Sequence, residues 1–300
     1  MKKVLIFGGI LILLTIVIFF SLIFISENVF FFLKADTLGI GDSGDYAFLL
    51  LGKPGPGHIG SENTDSLMVV YYSHKKNKLF LIAIPRDLIV KNENGELEKI
   101  NALYEEKKIN VLLNKVSEFT GLKIKNYLAV DLELVKKIVD KLGGIEIYLD
   151  QPVVDAVTLY TLPAGKYKLN GYLIELVLRS RYNSEGDFFR IKNQMKFLIA
   201  LKNKLLTLNN AELMDMLKFL EANRYYWDSN FDKNQLFFLF LKTKDIKNLE
   251  IVPIVIDLKS NFLKSGSFEI YGTSGVYGIY PSLGIDNFEA IQLYIRSRIK

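Results

Sequence analysis

The sequence predicts a globular domain of the α/β or α+β class, in which helices cover a central sheet, behind an N-terminal membrane helix. Strand-like apolar runs alternate with helical segments through the middle of the chain, which is typical of helices packed on a sheet. A long apolar segment without charges opens the chain. None of the 300 residues is a cysteine, so the predicted core forms without disulfides.

The apolar segment runs from Val4 to Ile25 and contains no charged residue. As a helix rising ~1.5 Å per residue it is long enough to cross a hydrocarbon core of about 30 Å. Lys2 and Lys3 precede it, which predicts a cytoplasmic N-terminus. A cleaved signal peptide is the alternative, but the run exceeds a typical h-region and no A-x-A-like site follows. The predicted order is cytoplasmic residues 1–3, an anchor at 4–26, a connector at 27–44 and an extracytoplasmic domain at 45–300.

Strands are predicted first along the exported domain. The run from Ala47 to Leu51 is apolar and is bounded by Gly52, which indicates a buried strand. Two Pro and three Gly between Lys53 and Gly60 indicate a loop. The β-rich runs Leu67–Ser73 and Leu79–Ile84 flank a polar turn, which predicts a hairpin.

Helices and strands then alternate. Helical spacing of apolar residues predicts a helix at Asn110–Phe119, and the pair Gly143-Gly144 is a C-cap signal that ends another helix. The remaining predicted elements are a strand at Tyr127–Val130, a helix at Leu134–Leu142, a strand at Ile145–Leu149, helices at Leu173–Leu178 and Ile191–Leu206, a strand at Ile251–Ile256 and a last helix from Phe288.

Polar residues concentrate at the ends of these elements. Asp65 stands just before a strand and Arg86-Asp87 just after one. Because a guanidinium forks onto phosphate or carboxylate oxygens, arginines gathered at element ends favour an anion site. A carboxylate such as Asp65 is a ligand that Mg²⁺ takes beside substrate phosphates. The alternatives are a turn residue at Asp65 and solvated arginines at helix ends. The third polar group consists of Arg179, Arg181, Asp187, Arg190 and Gln194.

Composition excludes several classes of function. The chain has 38 Lys plus Arg against 33 Asp plus Glu, a net charge of +5, and part of this excess lies at the predicted anchor. Such a mild excess does not predict nucleic acid as a partner. Two histidines and no cysteine make a His-rich or thiolate metal site an unfavourable hypothesis.

The order of short motifs resembles that of the LytR-CpsA-Psr family, membrane-anchored phosphotransferases of bacterial cell envelopes. The likeness covers residues 47–206 well and the tail weakly. Each motif alone is a weak signal, but their shared order behind one anchor helix is specific. The motifs are Phe48-Leu-Leu-Leu-Gly52, Thr64-Asp65-Ser66, Ile84-Pro85-Arg86-Asp87, Lys99-Ile100-Asn101-Ala102, Val130-Asp131, Val139–Ile145, Pro163-Ala164-Gly165 with Leu169-Asn170-Gly171, Arg179-Ser-Arg181, and Gly186-Asp187-Phe188 with Arg190 and Gln194.

The resemblance implies a mixed central sheet flanked by helices, with an apolar tunnel for a lipid and a polar mouth for a pyrophosphate. It implies an enzyme that moves a glycan phosphate from a polyprenyl-pyrophosphate carrier onto peptidoglycan, at the outer side of the cell membrane. Asp65 would hold Mg²⁺, and Gln194 would hydrogen-bond the pyrophosphate. Asp87 and Asp187 would orient arginines or the metal. The pyrophosphate charge would be neutralised by Arg86, Arg179, Arg181 and Arg190.

Three departures from the family pattern keep a second hypothesis open. The family has an Asp where this chain has Pro54, and arginines where it has Asn63 and Asn193. Loss of one metal carboxylate favours a non-catalytic protein that binds polyprenyl phosphates or scaffolds envelope assembly. Lys53 is a candidate to offset the lost positive charge. A third hypothesis, a membrane-anchored transcription regulator, is disfavoured because the charge bias of the anchor exports the domain away from DNA.

Overall fold

The computed structural model describes residues 45–55, 63–104, 108–155, 158–232 and 248–300. Its strands are β1 (Tyr46–Lys53), β2 (Ser66–Ser73), β3 (Lys78–Ile84), β4 (Ile89–Lys91), β5 (Leu97–Lys99), β6 (Tyr127–Asp131), β7 (Ile145–Leu149), β8 (Val153–Val154), β9 (Thr161–Leu162), β10 (Gly165–Leu169), β11 (Trp227–Ser229), β12 (Glu250–Ile254), β13 (Leu263–Ile270) and β14 (Thr273–Pro281). Its helices are α1 (Ile109–Thr120), α2 (Leu132–Lys141), α3 (Gly171–Arg179), α4 (Asp187–Leu205), α5 (Asn210–Ala222) and α6 (Glu289–Ile299).

A mixed sheet with the strand order β11-β6-β1-β2-β3-β12 lies at the centre of the described residues. Strands β1, β2 and β3 are antiparallel to their neighbours in this group, whereas β6 runs parallel to β1 and β12 parallel to β3. Successive residues of β3 are buried, so both faces of the sheet are covered. The prediction of a mixed α/β fold is confirmed.

Helices α2, α3 and α4 pack against one another in chain order. Asp131 caps α2 by accepting a hydrogen bond from the Glu133 backbone N–H, and Asn170 caps α3 in the same way for Leu173. Gly143 and Gly144 follow α2 with φ of 70° and 96°, so the predicted glycine C-cap is confirmed. These caps fix where the helices begin and end beside the sheet.

Strands β13 and β14 form a hairpin near the C-terminus, and both strands contain several glycine and serine residues. Their two-residue turn consists of Tyr271 and Gly272, both with positive φ (49° and 74°). This conformation is the type I′ turn that matches the twist of a hairpin. The hairpin contacts β4 and β5, and so it reaches the edge where the polar motifs lie.

The predicted strands and helices of the domain are present with bounds that differ by at most four residues, and the bounds of β7 agree without a shift. The sequence interpretation missed α5 and the hairpins β4–β5, β8–β9 and β13–β14. The predicted loop Lys53–Gly60 is described only in part, because Lys53 ends β1 and residues 56–60 lie outside the described ranges. The predicted anchor and connector, residues 4–44, also lie outside them, and no helix in the described ranges is long and apolar enough to cross a bilayer.

Candidate functional site

The antiparallel pairing of β2 and β3 brings the first two polar motifs together. Leu67 pairs with Ile84, so the start of β2 and the end of β3 meet at one edge of the sheet. Asp65 lies just before β2, where its backbone N–H donates to Gly52 O (2.8 Å). Arg86 follows β3 and donates from Nη1 to Asp65 Oδ1. This ion pair is the first fixed contact of the site.

The first turn of α4 adds a buried arginine. The Arg190 residue is only 2% exposed. Its Nη2 donates to the backbone oxygen of Asp65 (2.6 Å) and lies 2.8 Å from Asp187 Oδ1. Its Nη1 lies 3.8 Å from Asp65 Oδ1. Because Asp187 and Arg190 are three apart on one helix, they share a face, and α4 delivers both charges to the edge beside Asp65.

Arg181 completes the group from the connection between α3 and α4. Its Nε lies 3.3 Å from Asp187 Oδ1 and its Nη2 lies 3.9 Å from Asp65 Oδ1. The side chain is 41% exposed, so it is open to a ligand in a way that Arg190 is not. We call Arg86, Arg181 and Arg190 the arginine cluster. With Asp65 and Asp187 it has one excess positive charge.

Burial changes the electrostatics of this cluster. Loss of solvent lowers the pKa of Arg190 to about 10, and the neighbouring guanidiniums of Arg181 and Arg86 act in the same direction, while Asp187 and Asp65 oppose the shift. Arg190 stays charged at neutral pH. An anion placed beside the cluster would relieve the mutual repulsion of the three guanidiniums, so the arrangement favours binding of phosphate oxygens.

The other predicted site residues lie around the cluster rather than in it. Arg179 pairs with Glu175 one turn earlier on α3 (3.0 Å). Asp87 accepts from Lys99 (2.7 Å) and lies 3.7 Å from Arg86 Nε. Asp87 therefore lies between Lys99 and Arg86, and its role in orienting Arg86 stays a prediction.

Gln194 lies one turn after Arg190 on α4. Its Nε2 donates to the backbone oxygen of Leu178 (3.2 Å). Its Oε1 is buried and accepts no hydrogen bond from the described residues. The amide is therefore held by α3, and it lines the same cavity as Arg179, Arg181 and Arg190.

That cavity is apolar inside and charged at its mouth. Its volume is about 700 Å³, and it lies between one face of the sheet and helices α2, α3 and α4. Leu50, Met68 and Leu128 are cross-strand neighbours that form its floor. The helices contribute further apolar walls, among them Val135, Ile138, Leu176, Phe197, Leu198 and Leu201. An extended apolar chain that ends in an anion fits this combination of walls and mouth.

Two lysines were not assigned by the sequence interpretation to a definite place in the site. Lys53 lines the cavity mouth, and its ammonium lies 6.0 Å from the centre of the Tyr104 ring. Lys99, part of a quoted motif, pairs with Asp87. Their side-chain partners depend on tertiary contacts between distant segments, so no spacing in the sequence predicts them.

The carboxylates limit how a metal ion can bind. In the described ranges no three His, Cys, Asp or Glu side chains converge on one point. Asp65 uses Oδ1 for its ion pairs with all three cluster arginines, and Oδ2 takes part in none of these pairs. Mg²⁺ is commonly bound by one or two carboxylates together with substrate phosphates and water. Asp65 therefore fits as a single protein ligand to an ion that is shared with the substrate.

Similar proteins of known sequence come from bacteria. The chain is 30% identical over 145 residues to the probable cell wall biosynthesis protein LcpB of Corynebacterium glutamicum, covering 48% of this chain and 35% of LcpB. It is 26% identical over 222 residues to the regulatory protein MsrR of Staphylococcus aureus, covering 72% of this chain and 66% of MsrR. The chain thus spans less than two thirds of the length of either relative.

Solved structures share the fold at low sequence identity. TagT bound to LIIa-WTA superposes with a TM-score of 0.65 at 16% identity, covering 90% of this chain and 94% of TagT. TagV of B. subtilis gives a TM-score of 0.61 at 20% identity, covering 86% and 98%. The family model described as the LytR_cpsA_psr family matches residues 34–274. Since that match includes the central sheet, the arginine cluster and the apolar cavity, the chain belongs to the LytR_cpsA_psr family.

Proposed function

We propose that the protein is a phosphotransferase of cell-envelope assembly, which moves a glycan phosphate from a polyprenyl-pyrophosphate carrier onto peptidoglycan. The observation that carries this proposal is the opening of the apolar cavity onto the arginine cluster. A polyprenyl pyrophosphate has the matching parts, an apolar chain and a compact polyanion. The relatives support the cell-wall context, because LcpB is described as a probable cell wall biosynthesis protein and TagT was solved with LIIa-WTA.

Phosphoryl transfer requires mainly that the reacting groups are positioned and that negative charge is stabilised. Phosphoryl transfer passes through a transition state with charge spread over the phosphate oxygens, and fixed cations stabilise it. Arg181, Arg190 and Arg179 at the mouth would bind these oxygens, while Asp65 and Asp187 hold the guanidiniums in place. Mg²⁺, held by Asp65 and by the substrate phosphates, would supply further charge neutralisation.

The reaction exchanges one bond to phosphorus for another. An acceptor hydroxyl attacks the phosphorus that carries the glycan, and the bond from that phosphorus to the bridging oxygen breaks. Polyprenyl phosphate leaves with the electron pair, and the hydroxyl proton is released to solvent. Arg86 and Arg181 would counter the charge that the leaving phosphate gains.

The same proposal sets the location of the domain. A lipid-linked donor keeps its tail in the bilayer, so the site has to stay near the membrane surface. A single N-terminal anchor with a cytoplasmic N-terminus would hold the domain on the outer side of the cell membrane. In that position both the lipid carrier and peptidoglycan are within reach.

A second candidate function is a non-catalytic polyprenyl-phosphate-binding protein. The specific observation in its favour is Pro54, which stands where the family pattern has a carboxylate, so a metal ion bound by Asp65 would lack that second carboxylate. A binder would keep the cavity and the cluster but would not turn over.

One experiment separates the two candidates. The full-length protein in lipid nanodiscs is given a polyprenyl-pyrophosphate-linked saccharide and peptidoglycan, and release of polyprenyl phosphate is measured. The enzyme proposal predicts release that falls at least tenfold in Arg181→Ala and is unchanged in Arg298→Ala, an exposed arginine on α6. Tight donor binding without any release would support the binding protein and overturn the enzyme.

A further inference from the structure

A second cavity, lined mostly by polar and charged side chains, meets the first at Asp65. Its volume is about 470 Å³. Asp65 lines both cavities, whereas Arg86 lines only the polar one, and Arg181 and Arg190 line only the apolar one. Strand β5 and the residues after it form one wall, and the C-terminal hairpin β13–β14 forms the other. The ion pair between Asp65 and Arg86 therefore lies at the boundary of two chemically different spaces.

The wall from β5 contains a buried carboxylate with spare hydrogen-bonding capacity. Glu98 is only 2% exposed, and its Oε1 accepts from Lys108 Nζ (3.3 Å). Its Oε2 is buried and accepts no hydrogen bond from the described residues. A buried acceptor without a donor is costly, so such groups in folded proteins are normally satisfied by water or by a ligand. Glu98 lines the cavity beside the amide of Asn101, which is also buried.

The wall from the hairpin presents an aromatic ring. Tyr271 is 64% exposed and lines the polar cavity from the turn between β13 and β14. Its φ of 49° is unusual for a bulky residue, so the backbone at this position is strained. Partial burial and the nearby Glu98 carboxylate raise the pKa of Tyr271, and the effect of Glu98 places the hydroxyl close to this buried acid. The hairpin therefore holds a tyrosine at the rim in a conformation that a glycine would adopt more easily.

A carboxylate, an amide, a lysine and an exposed aromatic ring form the combination that binds a carbohydrate. Carboxylate and amide oxygens accept from sugar hydroxyls, and amide and ammonium groups donate to them. An aromatic ring packs against the C–H face of a pyranose while its polar edge stays in water.

We propose that the polar cavity binds the sugar that receives the phosphate. This inference rests on the proposed function and extends it to the second substrate. In an in-line displacement the attacking and leaving oxygens lie on opposite sides of phosphorus. If the leaving polyprenyl phosphate occupies the apolar cavity, the attacking hydroxyl has to come from another side. The polar cavity borders the same Asp65 and provides that approach.

The test begins with binding of a peptidoglycan tetrasaccharide to the full-length protein, without donor. Tyr271→Gly removes the ring at a position where glycine is the less strained residue, so this variant is expected to fold at least as stably as the wild type. Glu98→Gln removes the carboxylate with little change of shape. We expect each variant to bind the tetrasaccharide about tenfold more weakly, while Tyr148→Ala, an exposed tyrosine on β7, binds it as the wild type does.

A second arm separates acceptor from donor. The affinity for the polyprenyl-pyrophosphate-linked saccharide is measured in the same variants, and the inference predicts no change. Equal weakening of donor and tetrasaccharide would assign the cavity to the donor glycan and overturn the proposal. Unchanged tetrasaccharide affinity in both variants would also overturn it. Failure of the proposed function has a different signature, because the wild type would then bind the tetrasaccharide normally but would neither bind nor turn over the donor.

Discussion

At the scale of single residues, the arginines of the site differ in what they contribute. Arg190 is buried against Asp65, Asp187 and the core. It therefore holds these carboxylates in place and also contributes positive charge to the site. Arg181 is exposed at the mouth and touches the same two carboxylates from outside. Their substitutions are therefore expected to separate stability from binding.

Arg181→Ala is expected to leave the free energy of unfolding within about 1 kcal/mol of wild type, because an exposed ion pair contributes little. It should weaken pyrophosphate binding by roughly 1.5–3 kcal/mol, or about tenfold to a hundredfold in affinity. Chemical denaturation and titration calorimetry measure the two quantities. A variant that unfolds more easily but binds normally would place Arg181 in the structure rather than in the site.

Arg190→Ala, unlike Arg181→Ala, should clearly lower the free energy of unfolding. Its removal leaves the Asp65 backbone oxygen without its donor and takes away the 2.8 Å partner of Asp187, at a cost of roughly 3–5 kcal/mol in the free energy of unfolding for a broken buried pair. Arg190→Lys keeps the positive charge but not the forked donors of the guanidinium, so its free energy of unfolding should fall less than that of Arg190→Ala. Chemical denaturation of both variants beside Arg181→Ala checks the ranking, and equal stability of Arg190→Ala and wild type would contradict the account.

The proposed role of Asp65 as a magnesium ligand is tested by titration of the metal. Chelator should stop release of polyprenyl phosphate, and Asp65→Asn should raise the magnesium concentration for half-maximal rate about tenfold or more, because the amide is a weaker ligand than the carboxylate. Asp215→Asn, an exposed residue on α5, is the matched control. A rate that is indifferent to chelator would mean that the arginines and Lys53 neutralise the pyrophosphate without a metal.

At the scale of elements, the cavity depends on how closely α2 and α3 approach. Gly171 opens α3, and its backbone N–H donates to Asp140 Oδ1 on α2 (2.7 Å). A Cβ at this position would lie 2.6 Å from Asp140 Oδ2 and 2.7 Å from the backbone oxygen of Lys136. The glycine therefore permits the contact between the two helices that wall the cavity.

Gly171→Ala should consequently destabilise the fold by about 1–3 kcal/mol, the usual cost of overpacking. The melting temperature measured by circular dichroism checks this. Gly272→Ala in the hairpin turn, where a Cβ would meet no atom within 4 Å, serves as a comparison for backbone strain alone. If Gly171→Ala had the same melting temperature as the wild type, α2 and α3 could move apart without cost, and their close approach would not be rigid.

The elements also show which structural signals the sequence carries. The β1–β3 strands and the helices α1–α4 were predictable, because apolar spacing and glycine caps mark them. A capping-box pattern at Asn209 and Glu212 marks α5 as well, and both reciprocal hydrogen bonds are present, so this helix was missed although its signal exists. Strands β13 and β14 pair with each other and lack a regular alternation of apolar and polar residues. No comparable sequence pattern therefore predicts this hairpin.

The candidate site, like the fold, was only partly predictable from the sequence. The motif order of the family predicted that Asp65, Arg86, Arg181 and Arg190 belong together, and the structure places them within one cluster of ion pairs. Arg179 lies outside this cluster and pairs with Glu175, but it lines the same cavity, and its role toward a pyrophosphate stays a prediction. The pairing of Asp87 with Lys99 required the tertiary structure, as did the polar cavity, whose hairpin wall is about 170 residues further along the chain than β5.

At the scale of the whole molecule, two cavities of opposite character meet at one carboxylate. The apolar one lies under helices α2 to α4, and the polar one lies under the C-terminal hairpin. A lipid that enters the first should stabilise the folded state by mass action. Under the proposed function, the first cavity would take the lipid-linked donor and the second would take the acceptor sugar.

Calorimetric titration of the full-length protein with farnesyl pyrophosphate and with inorganic pyrophosphate tests whether the cavity and the arginines bind one ligand together. The apolar cavity and the arginine cluster form one site in this account. Burial of hydrocarbon contributes roughly 0.8 kcal/mol per CH₂, so the lipid should bind at least about a hundredfold more tightly than pyrophosphate, and Arg181→Ala should weaken both by a similar factor. Equal affinities for the two ligands, or lipid binding that is insensitive to Arg181→Ala, would contradict it.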